Sequence, residues 1–170
     1  MVDILLPEVA DGNVALLLAA LDHGTRDWRK HLGDVSPAAL AWQPLPGGHS
    51  IGTILLHMAD VEGYWLYEVA HGKSRSREEL STLLSEETDQ GAGQWPVPPE
   101  HPLEWFYREQ DVVRQRTLAV LEAVTGTTAT HESPGTEFTL RWLLAHVVAH
   151  ESYHGGQAVL LHEMFKAGHR

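Results

Sequence analysis

The chain contains no cysteine at any of its 170 positions. It can therefore close no disulfide, hold no metal through a thiolate, and attack no substrate with a thiol of its own. Basic residues are also scarce: 12 Lys and Arg stand against 23 Asp and Glu, for a formal charge of -11. No basic run interrupts that acidity, so nucleic acid is repelled, and an anionic membrane surface likewise. Long apolar runs are missing too. The stretch from Val14 to Leu21 falls far short of the roughly 20 residues needed to span a bilayer. The opening MVDILLPEVADG lacks the basic segment of a signal peptide. These absences predict a cytoplasmic protein with no membrane or nucleic-acid partner.

What is present reads as an ordinary folded domain. Hydrophobic residues make up 43% and charged residues 21%, near the averages of soluble proteins. A chain of this size fits one domain over 1-170 and buries roughly two-thirds of its unfolded surface.

Apolar residues recur at helical spacing in four segments, with Pro- and Gly-rich breaks between them. From about Glu8 to Leu32, residues Val14, Leu17, Leu21, Trp28 and Leu32 share a face. Ser36-Pro37 then reads as an N-cap followed by proline at the first helical position, starting a short turn through Trp42. The stretch QPLPGGHS cannot continue a helix, and Ser50 caps the next one, from about Ile51 to His71. Residues 72 to 100 are polar and broken, with a short helix expected from Arg77 to Leu84. A connection of that length can cross from one end of the molecule to the other. A third long helix is expected from His101 to Val124. GTTATHESPGTEFT allows a brief extended excursion around a Pro-Gly turn, and a last helix begins near Thr139. Four amphipathic helices with a long middle connection predict an all-α four-helix bundle.

The last helix carries HVVAHESYHGGQ, with His146, His150 and His154 four residues apart. That spacing turns side chains by only about 40° and lifts them roughly 6 Å, so neighbouring imidazoles can converge on one ion. His150 and His154 follow the core-facing steps, while His146 lies at the stripe's edge, an alternate ligand or an outer neighbour. A lone core histidine is usually just hydrogen-bonded, and HxxxH recurs by chance. Burying several imidazoles without a shared partner, however, costs on the order of a kcal/mol each. The cluster therefore favours metal binding.

Two ligands from one helix need a third from elsewhere, and His57, in SIGTILLHMADVEGYW on the second long helix, is the best donor. Three neutral histidines suit zinc, nickel or iron and leave the ion its full charge. Asp60, Glu62 and Glu151 stand close enough in sequence to orient an imidazole, although solvated helix-face charge is the commoner meaning. Trp42, Tyr64, Trp65, Trp105, Trp142 and Tyr153 are candidate pocket walls that more often serve as core or dimer contact. Gln157 is expected to hydrogen-bond within the bundle. His23, His31, His49, His71, His101, His131, His162 and His169 fall mostly at helix ends or in loops and receive no role.

SIGTILLHMADVE and TLRWLLAHVVAHESYHGGQ together resemble the DinB superfamily of metalloproteins, also called DinB-like or YfiT-like, over nearly the whole chain. The resemblance implies an up-down-down-up bundle, a divalent metal held by His57, His150 and His154, and a homodimer. Family members commonly place Arg-Gly-Gln after the second histidine of the pair, where this chain has Gly155-Gly156-Gln157. Relatives include S-transferases that use a low-molecular-weight thiol such as bacillithiol or mycothiol, and a mycothiol-dependent isomerase. The implied activity is a metal-dependent thiol S-transferase acting on small electrophiles. The alternatives are a metal-dependent hydrolase and a non-catalytic metal-binding stress-response protein, the last with its site closed by a fourth ligand such as His146.

Overall fold

The computed structural model describes residues 3, 4, 6–88, 94–133 and 135–168. His169 and the proline of the expected Pro-Gly turn lie outside them, as do residues 89–93 of the long connection. The first helix, α1 (Gly12–Leu32), starts later than Glu8 because the Asp11 carboxylate accepts the N–H groups of Asn13 and Val14 and fixes the cap there. Ser36 caps α2 (Pro37–Ala41). Ser50 and Thr53 form a reciprocal capping box at the start of α3 (Ile51–Glu62).

The helix expected to continue to His71 instead widens into a π-helical segment, Gly63–Val69, in which the Ala70 N–H reaches Trp65 O at 3.0 Å. Asp60 and Glu68, at the two ends of the widened stretch, both bind the buried Arg75 guanidinium, at 2.6 and 3.0 Å. The short α4 (Arg77–Thr82) follows, then α5 (Leu103–Leu121). The extended excursion is a hairpin of β1 (Thr130–Ser133) and β2 (Thr136–Thr139), with His131 opposite Phe138. The chain then enters α6 (Leu140–Gly168).

Cross-helix contacts give the direction of each helix. Trp28 on α1 meets Glu151 on α6, and Leu32 O accepts from His162 further along, so α1 and α6 run parallel. Leu55 O accepts from Gln110, and Glu62 binds Arg114, so α3 and α5 are also parallel. His57 faces His150 and His154, whereas the later Trp65 faces the earlier Trp142, so α3 and α6 are antiparallel. The order is up-down-down-up. A parallel α3–α5 pair requires the long connection, since the chain must return to the end from which it started.

Apolar packing falls into two halves. One gathers Trp28, Leu32, Leu40, Ile54, Leu55, Phe106, Ala158 and Leu161. The other gathers Val14, Leu18, Leu21, Leu66, Leu121, Leu143 and Val147. Between them in sequence, on each long helix, sits a polar residue with little solvent exposure: Thr25 on α1, Glu62 on α3, Arg114 on α5 and Glu151 on α6. A polar layer thus crosses the bundle. α3 is buried on all sides from Ile51 to Ala59, more completely than its expected stripe, because α2, α5, α6 and the long connection all pack on it.

Gly155 sets the approach of α6 to α1. A Cβ there would lie 2.5 Å from Trp28 Cγ, so the indole occupies the space that any larger residue would need. Gly155→Ala is expected to cost about 1–3 kcal/mol through overpacking, read by denaturant unfolding. An unchanged midpoint would show that Trp28 can move aside freely.

Candidate metal centre

α3 and α6 bring their histidines together across the antiparallel contact. His57 and His154 are 3% and 6% exposed, and His150 is half-buried at the edge. His57 Nε2 lies 3.1 Å from His150 Nε2, and the ring centroids of His154 are 5.0 Å from His57 and 4.4 Å from His150. One nitrogen from each of the three rings falls within 4.8 Å of the others.

The spacing can be tested against ligation. Two nitrogens bound to one ion at about 2.0–2.1 Å sit about 2.9 Å apart at a right angle and about 3.3 Å apart at the tetrahedral angle. The observed 3.1 Å lies between these limits. Without an ion, one of the two Nε2 atoms must carry a hydrogen and the other accept it, whereas an ion would take a lone pair from both. The buried Nδ1 of His154 meets no hydrogen-bond partner among the described residues. These donors fit a divalent cation.

Electrostatics keeps the rings in the ligating form. Burial, with help from the neighbouring His154 and His49, pushes His57 from the ordinary 6.5 down to about 3. Burial again leads at His150, with His154, His57 and His146 adding to it, and it too falls to about 3. His154 is lowered by burial, with the side chain of Gln157 acting the other way and His49 adding to the fall. All three are neutral at physiological pH and free to donate a lone pair.

Two neighbours of the triad come from outside the residues singled out in the sequence. Trp95, in the long connection, is buried, with its ring 4.9 Å from His57 and 6.4 Å from His154. His49, just before the Ser50 cap, lies 4.2 Å from Trp95 and 6.2 Å from His154. The connection reaches the site because Gly52 gives it room: a Cβ there would fall 2.7 Å from Pro98 Cβ. The signal available was the lone tryptophan in QWPVPP, whose surrounding prolines stiffen an extended path.

Other expectations are corrected. His146 is no alternate ligand in this geometry: its ring stacks on Trp142 at 4.8 Å with planes 7° apart, outside the close group of three. Asp60, Glu62 and Glu151 do not orient the imidazoles. Asp60 binds Arg75 and Ser85, and Glu62 and Glu151 share Arg114. Glu151 is also not a solvated face charge, since the buried centre of α6 runs through Val147, Glu151 and His154. Gln157, expected to bond within the bundle, has its side chain against His154, where its hydrogen bond opposes the effect of burial on the ring.

The six aromatic candidates separate by position. Tyr153 borders His154 at 5.0 Å, and Trp65 and Trp142 pack around His146. Tyr64 lies on Trp65. Trp42 packs on Phe165 and Trp105 stacks on His101.

Comparison with known proteins adds one match. The family model of the DinB superfamily covers residues 20–158, a span that includes His57, His150 and His154. No curated protein matches the chain.

The depressed histidines give the metal-free protein a defined acid sensitivity. Below about 6.5 the unfolded chain takes up protons that folded His57 and His150 refuse until about 3. Stability is therefore full above that upper value and falls steadily through the window between the two. Thermal unfolding followed from pH 7.5 to pH 4 is expected to show this decline, shallower in a His57→Asn/His150→Asn variant. Equal slopes in the two proteins would contradict it.

Proposed function

The chain belongs to the DinB superfamily, and from that premise and the triad's geometry we propose that it is a metal-dependent thiol S-transferase. The observation that carries the proposal is that, among the described residues, three histidine nitrogens, and not four, lie at one-ion spacing. A catalytic site needs a ligand position left for substrate, whereas a structural site is saturated by protein. His146, the residue able to close the site, is held against Trp142 instead. This favours turnover over passive metal storage.

In this reading His57, His150 and His154 hold the cation, with zinc, nickel and iron all suited to the donor set. A cation bound there would supply a Lewis acid able to lower the pKa of a thiol toward neutrality. The thiol must come from a small molecule, because the chain has none of its own. The sulfur then forms a bond to an electrophilic carbon, the displaced group leaves with its electron pair, and the thiol proton passes to solvent.

The chain's own contribution is placement. Burial keeps the three rings neutral, and Trp95 shields His57 from water on one side. The partly exposed His150 marks the side from which small molecules approach. The homodimer and cytoplasmic setting expected from the sequence belong to the same proposal. Among the described residues no helix is long and apolar enough to cross a membrane.

Elemental analysis of tag-free protein is expected to find about one divalent ion per chain, lost in His57→Ala, His150→Ala and His154→Ala with the helical content kept. Loaded protein should then accelerate conjugation of a low-molecular-weight thiol to a small electrophile by at least 100-fold over His150→Ala. Turnover with water alone would point to the hydrolase, and wild-type protein that binds none of zinc, nickel and iron would defeat both readings.

A further inference from the structure

The polar layer between the two apolar halves centres on one guanidinium. Arg114 Nε donates to both oxygens of Glu62, at 2.9 and 3.0 Å, and its terminal nitrogens reach Glu151 Oε2 at 2.5 Å and Thr25 Oγ1 at 3.3 Å. The other oxygen of Glu151 accepts from Thr25 and from Trp28 Nε1. All four long helices meet at this point.

The placement of the carboxylates matters more than their number. Glu151 follows His150 directly on α6, and Glu62 lies on α3 beyond His57. One cation therefore holds the two helices that carry the triad. The side chains of Glu62, Glu151 and Arg114 are 4%, 8% and 17% exposed. Burial opposes the charge on Arg114, but Glu62 and Glu151 more than offset this and hold its pKa above the ordinary arginine value.

Two other roles fit less well. The cavity beside the cluster measures only about 10 Å³, close to the room one water needs, so the cluster has no space for a ligand. Stability alone accounts for it poorly, because replacing a buried ion pair with well-packed apolar residues of similar volume is often neutral or stabilising. A planar fork bound to two carboxylates is, however, strongly directional, and apolar packing is not. A metal site tolerates errors of only about 0.2 Å in its ligand distances.

We propose that Arg114, acting through Glu62 and Glu151, is the positioning residue of the histidine triad: it fixes the separation and rotation of α3 and α6 at which His57 and His150 present nitrogens to one ion. The proposal rests on the metal reading of the triad. It assigns Arg114 no contact with substrate or metal.

The test uses the full chain and cobalt(II), whose visible absorption reports the number and symmetry of its ligands. Wild type is compared with a neutral, shape-matched Glu62→Gln/Arg114→Met/Glu151→Gln variant and with Arg114→Lys, alongside thermal unfolding of each metal-free protein. The triple variant is expected to unfold within a few degrees of wild type, yet to bind cobalt at least tenfold more weakly with altered bands. Arg114→Lys, which keeps the charge but loses the fork, should fall between them.

Wild-type affinity and spectrum in a folded triple variant would overturn the proposal. Should that variant fail to fold, Arg114→Lys decides: weaker binding with the fold kept supports the proposal, and unchanged binding overturns it. Wild type that binds no cobalt would defeat the metal reading, and this proposal with it.

Discussion

His57 Nε2 and His150 Nε2 lie 3.1 Å apart inside a helical bundle, and much of the architecture accommodates that approach. Imidazoles withdrawn from water lose hydration that their neighbours must replace. The cost is tolerable here because the rings are neutral and because their nitrogens face one another. The helices must in turn be held close and in register: Trp28 seats on Gly155 on one side of α6, and Arg114 joins Glu62 to Glu151 through the bundle. Both contacts bear on α6, the helix that carries two of the three histidines.

Topology contributes a second element. Parallel α3 and α5 oblige the chain to travel the length of the bundle between them, and that crossing is where Trp95 and Pro98 are carried over α3. The connection is therefore part of the site's wall as well as a link. The widened stretch after Glu62 has a comparable double role. It extends α3 toward the hairpin, where Trp65 meets Phe138 and Trp142, and Arg75 closes it by binding Asp60 and Glu68.

Much of this was legible from residue spacing. Ser36, Ser50 and the Pro-rich breaks located the helices to within a few positions, and the family motifs pointed to His57, His150 and His154 together. What stayed hidden depended on the other side of a contact. Glu62 and Glu151 look like surface carboxylates until Arg114, far along the sequence, is seen to reach both. His49 looks like a loop histidine until the connection folds back and sets Trp95 against it. The π-helical turn has no periodic signature, and the Arg75 ion pairs with Asp60 and Glu68 that flank it are equally invisible in the pattern. Pattern reading reports which face of a helix is apolar; it does not report which partner waits there.

The triad also has an order of assembly written into it. His150 and His154 sit one turn apart, so the last helix presents two nitrogens as soon as it is helical. The third ligand lies 93 residues away from His150 in the chain and arrives only when α3 docks. A cation caught early by the local pair would be held loosely and then gripped as the distant helix closes, so its binding energy acts mainly on that final docking. The ion would serve as a late fastener of the bundle, joining α6 to α3 across their contact.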